Sequence, residues 1–402
     1  ANADTTKAAI NGKNLYIDAN GTLGTADKNM TVNLTGILSA TGVDGVYISQ
    51  ISNNPLYVQA VSSKGDISLQ AAGDILSSDV EGSMAQGYIR NEDTDEGNIY
   101  LKSAHGSVGS ADSAIRIFNS SQDEDKEEKD ANKVTVDAEN GDVYLEGVST
   151  QVASVAKPEG VLKLASVKAN TIINITDNGS VKLLGAVVTK DAAGSTSIDA
   201  KDKLYQVYDN NGGVVNSSLQ TNAAELKAVH GIDLGSKDNK LGTVAFANTD
   251  SDTTASSHVL IGNGGSSKLN VKGSNTDGAI ALHNYVGGAA NDVKILAEGL
   301  QAKTQIEVIN DESAVEINGP LTAQQGSLQV SAKTKLDNIA GDLKAGQNVL
   351  LESQTGTVLQ GKVEAVAGKV TINSETGDIE THDSITAGTD TVLHAGGSID
   401  NQ

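Results

Sequence analysis

The chain has 402 residues, enough by length for about two or three domains, yet aromatic residues make up only 3%, so any core must be built from Val, Ile, Leu and Ala. A formal charge of −22, from 29 basic and 51 acidic residues, disfavours a basic groove for nucleic acid or an anionic bilayer. Cysteine is absent, which excludes disulfides and thiolate metal sites, and the abundance of Gly (43) over Pro (3) points to many tight turns without rigid linkers.

From the amino terminus, Ala1-Asn2-Ala3-Asp4-Thr5 is polar and has no signal-peptide pattern, and nowhere is there an apolar run of about 18 residues that would span a bilayer. A Tyr then recurs between two aliphatics: Leu15-Tyr16-Ile17, Val46-Tyr47-Ile48, Leu56-Tyr57-Val58, Ile99-Tyr100-Leu101 and Val143-Tyr144-Leu145. In a strand with the aliphatics inward, each Tyr faces out. Tyr57, Tyr100 and Tyr144 lie 43 and 44 apart by subtraction, close to two coils of a repeat each, so they are expected to share one face and to bind a ligand by stacking; ordinary cross-strand packing is the plainer alternative. Short alternating strands follow Gly-Asp turns at Gly65-Asp66, Gly73-Asp74 and Gly141-Asp142.

Between Ile117 and Val134 the run Gln122 to Asp130 is acidic; it is expected to be a solvated loop, since it lacks the Gly and ligand spacing of an EF-hand. Insertions are expected near 119–133, 151–159, 191–197, 209–222 and 248–257. Strand patterning resumes after each, so 1–402 is expected to form a single continuous β-solenoid.

The last hundred residues state the repeat most clearly. Leu321, Leu343, Val363 and Ile385 each open a Leu/Val/Ile-x-Ala triplet, at spacings of 22, 20 and 22 by subtraction. The central aliphatics Val330, Leu351, Ile372 and Leu393 recur every 21, and a third strand is expected to align Val358, Ile379 and Ile399. The predicted fold is all-β, a right-handed parallel β-helix with about three short strands per coil of roughly 21 residues. Each coil buries its inward residues only by stacking on the next. A helical reading fails because Gly recurs too often and no i, i+3, i+4 apolar stripe persists.

Parallel β-helices host polysaccharide lyases and hydrolases, so carboxylate pairs need weighing. The Asp residues of Gly65-Asp66, Gly73-Asp74, Gly141-Asp142, Gly341-Asp342 and Gly377-Asp378 belong to the repeat itself, where Asp satisfies turn backbone groups. A catalytic site should interrupt a repeat once. The six His show no metal-ligand spacing, and neither a nucleophile elbow nor a phosphate-binding loop occurs. No catalytic residue, metal site or cofactor is expected.

Gly21 to Asn29, Gly106 to Asp112 and Gly231-Ile232-Asp233-Leu234-Gly235-Ser236-Lys237-Asp238-Asn239 each resemble a Gly-x-Ile-Gly-Ser-x-Asp-Asn phrase of filamentous haemagglutinin-type adhesins, and Gly141-Asp142-Val143-Tyr144-Leu145 is similar in style. The resemblance covers most of the chain. It implies secretion by a two-partner or autotransporter route through an outer-membrane transporter. It also implies a shaft at the bacterial surface or in the extracellular medium that serves attachment, aggregation or biofilm. Expected partners are a host or bacterial surface protein or glycan, with neither nucleic acid nor membrane insertion. The chain ends mid-repeat at Ser398 to Gln402, from which continuation or end-to-end self-association is expected. The other readings are a carbohydrate-binding or polysaccharide-degrading β-helix and a self-assembling filament subunit.

Overall fold

A computed structural model describes residues 8–78, 87–92, 97–119, 132–149, 160–210, 217–250, 257–265, 268–285 and 292–402. Among the described residues there are strands and turns but no helix, and the strand pairings between coils are parallel. The chain is a parallel β-helix, and a parallel crossover of this kind takes the right hand. Two compact units contain it, Ala1–Asp202 and Lys203–Gln402.

In the second unit the carboxy-terminal coils follow the sequence grammar. Leu321–Ala323 pairs with Leu343–Ala345, which pairs with Val363–Ala365 and then Ile385–Ala387. Val330, Leu351, Ile372 and Leu393 stand in direct register in the neighbouring column, as their spacing predicts. The third column differs by one residue. Thr357, not Val358, aligns with Ile379 and Ile399, and Val358 sits opposite Glu380. Thr357 is buried, and its hydroxyl lies 2.9 Å from that of Ser353. A hydrogen-bonded hydroxyl inside the turn therefore takes a place that hydrophobicity alone assigns to valine.

Upstream in this unit, two of the three faces run together into long bent strands: Ser218–Ala228, Lys240–Asn248, Leu269–Asn275 and Val293–Ala302. Val293–Ala302 is where they part. Its first half pairs with Val315–Ile317 and its second half with Leu321–Ala323. Gly299 makes the corner at φ +72°, and a Cβ there would stand 1.9 Å from the Pro320 carbonyl oxygen.

A line of buried amides runs through the same coils. Asn263 Nδ2 donates to Asn284 Oδ1 at 2.8 Å, and Asn284 Nδ2 donates to Asn310 Oδ1 at 2.9 Å. Asn263 Oδ1 accepts the Leu241 N–H at 2.9 Å, while Asn310 Oδ1 also accepts the Glu312 N–H at 3.0 Å. Stacked coils place identical side chains about 4.8 Å apart, a spacing that one amide-to-amide hydrogen bond bridges.

In the first unit the coils are longer. The column Val46, Ile67, Ile99 and Val134 steps by 21, 32 and then 35 residues by subtraction, while the rungs stay in register. The buried apolar residues are aliphatic, with Phe246 in the second unit the one aromatic in the core among the described residues. Each fully buried Leu or Ile contributes about 1.5–3 kcal/mol, so a core without large rings is still sufficient when every coil repeats it.

The expected insertions fare unevenly. Residues 120–131 and 151–159 lie outside the described set, as do 211–216 and 251–256 within the expected 209–222 and 248–257. Within 191–197, Asp191 to Gly194 is a tight turn closed by Gly194 N–H to Asp191 O at 2.9 Å, and the strand Ser195–Ala200 follows at once. Within 209–222, Ser218 already begins the strand Ser218–Ala228.

Candidate functional site

The Gly-Asp turns have one structural job in common. Asp66 Oδ1 accepts Asn98 N–H at 2.7 Å, Asp74 accepts Ser107 N–H at 2.7 Å, and Asp142 accepts Ile172 N–H at 2.9 Å. Asp342 does the same for Lys362 N–H at 3.1 Å and Asp378 for Ser398 N–H at 2.6 Å. Each carboxylate thus caps a backbone donor of the next coil, a hydrogen bond strengthened by its charge. Among the described residues no three His, Asp or Glu side chains converge to hold a metal ion.

The tyrosines face outward as alternation requires: Leu56, Val58, Ile99, Leu101, Val143 and Leu145 are all buried beside them. They do not share one face. Tyr57 stands beside Leu76, and the bridges Ile75–Val108 and Val108–Val143 carry that column on to Tyr144. Tyr100 belongs to another column, in register with Ser68, which is in register with Tyr47. The expected grouping assumes coils of 21 residues, and the 32- and 35-residue coils here break that phase.

The column that does assemble builds a cleft. Four adjacent rungs present Tyr47, Ser68, Tyr100 and Thr135, alternating large and small. One step along the same face come Ser49, Gln70, Lys102 and Asp137, also in register. Tyr47, Asp66, Ser68, Gln70, Tyr100, Lys102, Thr135 and Asp137 line a cavity of about 370 Å³. Gly45 lets the Tyr47 ring lie back along its own strand, since a Cβ there would meet ring carbon Cε2 at 2.7 Å. Tyr100 is 41% exposed and offers its ring to solvent. Lys102 Nζ is 3.2 Å from Asp137 Oδ2, which fixes the polar end of the cleft.

Burial pushes the Tyr47 phenol above its ordinary value, and hydrogen bonding to the nearby Asp66 carboxylate adds to the rise. Tyr100 is raised by burial and then by Asp66, with Asn98 and Lys133 opposing. Both phenols stay protonated donors at neutral pH. Tyr144 is raised by burial and by Asp142, two residues before it.

Two other clusters carry polar chemistry that spacing does not reveal. Arg90 and Arg116, the only arginines of the chain, come together in the first unit, with guanidinium carbons 4.8 and 5.3 Å from the Phe118 ring centre. Tyr88 meets Phe118 edge-to-face at 5.5 Å, and Arg116 Nε is 3.5 Å from Glu146. Parallel register brings Tyr88 beside Arg116 and Arg90 beside Phe118.

In the second unit Tyr208 donates to Asp233 at 2.7 Å, Asn210 donates to the Tyr285 hydroxyl at 2.9 Å, and His283 stacks on Tyr285 with centroids 3.9 Å apart. His283 Nε2 lies 2.6 Å from Asp311 Oδ2. Burial first, then the Asp233 hydrogen bond, pushes the Tyr208 phenol far up. The imidazole is held between a carboxylate and an aromatic face, an arrangement that locks a surface layer in place. Set against models of known protein families, curated proteins and solved structures, the chain matches none.

Proposed function

We propose that the chain is a non-catalytic adhesive shaft of the bacterial surface or extracellular medium, a β-helix whose outward rungs hold binding surfaces for attachment, aggregation or biofilm. The observation that carries this reading is the outward Tyr47–Tyr100 cleft on a strand face where the neighbouring turn carboxylates are already committed to backbone N–H groups. A scaffold whose acids serve the next coil has its chemistry invested in rigidity, and rigid elements position exposed contact residues well. The sequence phrases similar to filamentous haemagglutinin-type adhesins support the same role, with partners at a host or bacterial surface and passage through an outer-membrane transporter.

The test is adherence. Beads coated with the folded chain should retain bacterial or host cells more than beads coated with the heat-unfolded chain. Incubation with a panel of polysaccharides should release no new reducing ends. Equal retention by folded and unfolded chain defeats the adhesive reading, and steady release of reducing ends defeats the non-catalytic one.

A further inference from the structure

Resting on the adhesive reading above, we infer that the Tyr47–Tyr100 cleft is a binding site for an uncharged saccharide, which lies against the Tyr100 ring over the gap left by Ser68. Three observations point to this ligand. The first is spacing. Tyr47 and Tyr100 stand two rungs apart, about 9.6 Å, and the rung between them contributes only the hydroxymethyl group of Ser68. Rungs that far apart, with only a serine between them, leave room for one six-membered sugar ring laid with its C–H face against the Tyr100 ring.

The second is the polar rim. Gln70 is exposed beside Ser68, and Lys102 and Asp137 hold each other 3.2 Å apart one step further along the same face. An amide, an ammonium and a carboxylate supply donors and acceptors together, the pairing that vicinal hydroxyls require. The raised Tyr100 phenol accepts from Asn98 and keeps its O–H to donate at neutral pH, while the Tyr47 O–H is held by Asp66. The third is charge. The lining contains Asp66, Asp137 and one Lys, Lys102, which is already paired, so an anionic sugar would meet excess negative charge in a chain of −22.

The same features separate this cleft from the other exposed tyrosines. Tyr16 is 66% exposed but lies outside the lining of the cleft. Tyr57 and Tyr144 are spaced by Leu76 and by the position of Gly109, whose added Cβ would stand 3.1 Å from the Tyr144 Cβ. Among these tyrosines, Tyr47 and Tyr100 line the cavity together with a mixed polar rim of Gln70, Lys102 and Asp137.

The experiment uses the full chain and a panel of uncharged hexose and N-acetylhexosamine tetrasaccharides, with a sulfated tetrasaccharide as the charged counterpart. Saturation-transfer NMR and calorimetry read binding. At least one uncharged member should bind and the sulfated one should not. Tyr100→Ala should weaken binding by about tenfold or more, and Tyr100→Phe should stay within about threefold of the parent, because the ring face is retained. Ser68→Tyr should abolish binding by filling the gap, while Tyr16→Ala leaves it unchanged. Far-UV circular dichroism checks that each variant keeps its strands; Asp66 is left intact because it caps Asn98. The inference is overturned if no uncharged member binds at about 10 mM, if only the sulfated one binds, or if Tyr100→Ala binds as well as the parent. Adherence by the parent chain without any binding of the uncharged sugars removes this inference alone. Intact sugar binding without adherence removes the adhesive reading and leaves the site.

Discussion

Replacing Asn284 by alanine removes the middle link of the amide line. The hydrogen bonds from Asn263 at 2.8 Å and to Asn310 at 2.9 Å are lost. The consequences at the two ends differ. The Asn263 amide, fully buried, loses its acceptor, and an orphaned buried donor costs about 1–3 kcal/mol. The Asn310 oxygen still accepts the Glu312 N–H at 3.0 Å, so its loss is smaller. With the small void left by the missing carboxamide, the total is about 2–4 kcal/mol. Asn310→Ala should cost more, about 3–5 kcal/mol, since it strips partners from Asn284 Nδ2, the Glu312 N–H and the Ala314 carbonyl, the last now held at 2.8 Å. Guanidinium unfolding followed by circular dichroism measures the order, and hydrogen exchange in Ile280–Asn284 and Ile306–Asn310 localises it. A cycle combining Asn263→Ala with Asn284→Ala should show coupling of about 0.5–3 kcal/mol. The reasoning is refuted if Asn310→Ala costs no more than Asn284→Ala, or if Asn284→Ala costs under about 0.5 kcal/mol.

Gly299→Ala should lower stability by at least about 1–3 kcal/mol, because φ is +72° and the Pro320 carbonyl occupies the space; a thermal melt with no downward shift contradicts the corner geometry. Glu316 is held down to about 2 by hydrogen bonds from Lys294 first and Lys268 second. A depressed folded-state value means this stabilisation is present above the unfolded value near 4.5 and fades as pH falls toward 2. Stability measured between those limits should therefore fall less steeply in Glu316→Gln than in the parent, and equal slopes would count against the ion cluster. Thr357→Val should cost about 0.5–1.5 kcal/mol by stranding the Ser353 hydroxyl, whereas Val358→Thr should stay within about 0.5 kcal/mol; the reverse order would restore the register with Val358 inward.

The coil grammar was legible where coils are uniform. Leu321, Leu343, Val363 and Ile385 repeat at nearly constant spacing, and the structure stacks them in one column. Gly-Asp turns were legible too, because a residue that recurs with the repeat has a reason tied to the repeat, and five of those Asp carboxylates cap the following coil. What spacing could not convey is register across coils of unequal length. Inserted residues in a turn change the sequence distance between stacked positions while the rung separation stays near 4.8 Å, so equal intervals among Tyr57, Tyr100 and Tyr144 carry no information about their columns. Tyr47 and Tyr100, 53 apart by subtraction, are the pair that meets across a single intervening rung.

The buried amides were hidden for a different reason. Asn263, Asn284 and Asn310 each end an alternating strand, where Asn reads as a turn residue; alternation puts them on the inward face, but only the stacking direction reveals that they bond to one another. Alternation along a strand determines which face a residue occupies; it is silent about the neighbour one coil away. In a β-helix that neighbour decides whether a polar side chain is a cost or a link. It also decides whether a tyrosine is isolated or half of a cleft, so the fold can be read along the chain while the candidate site exists only across it.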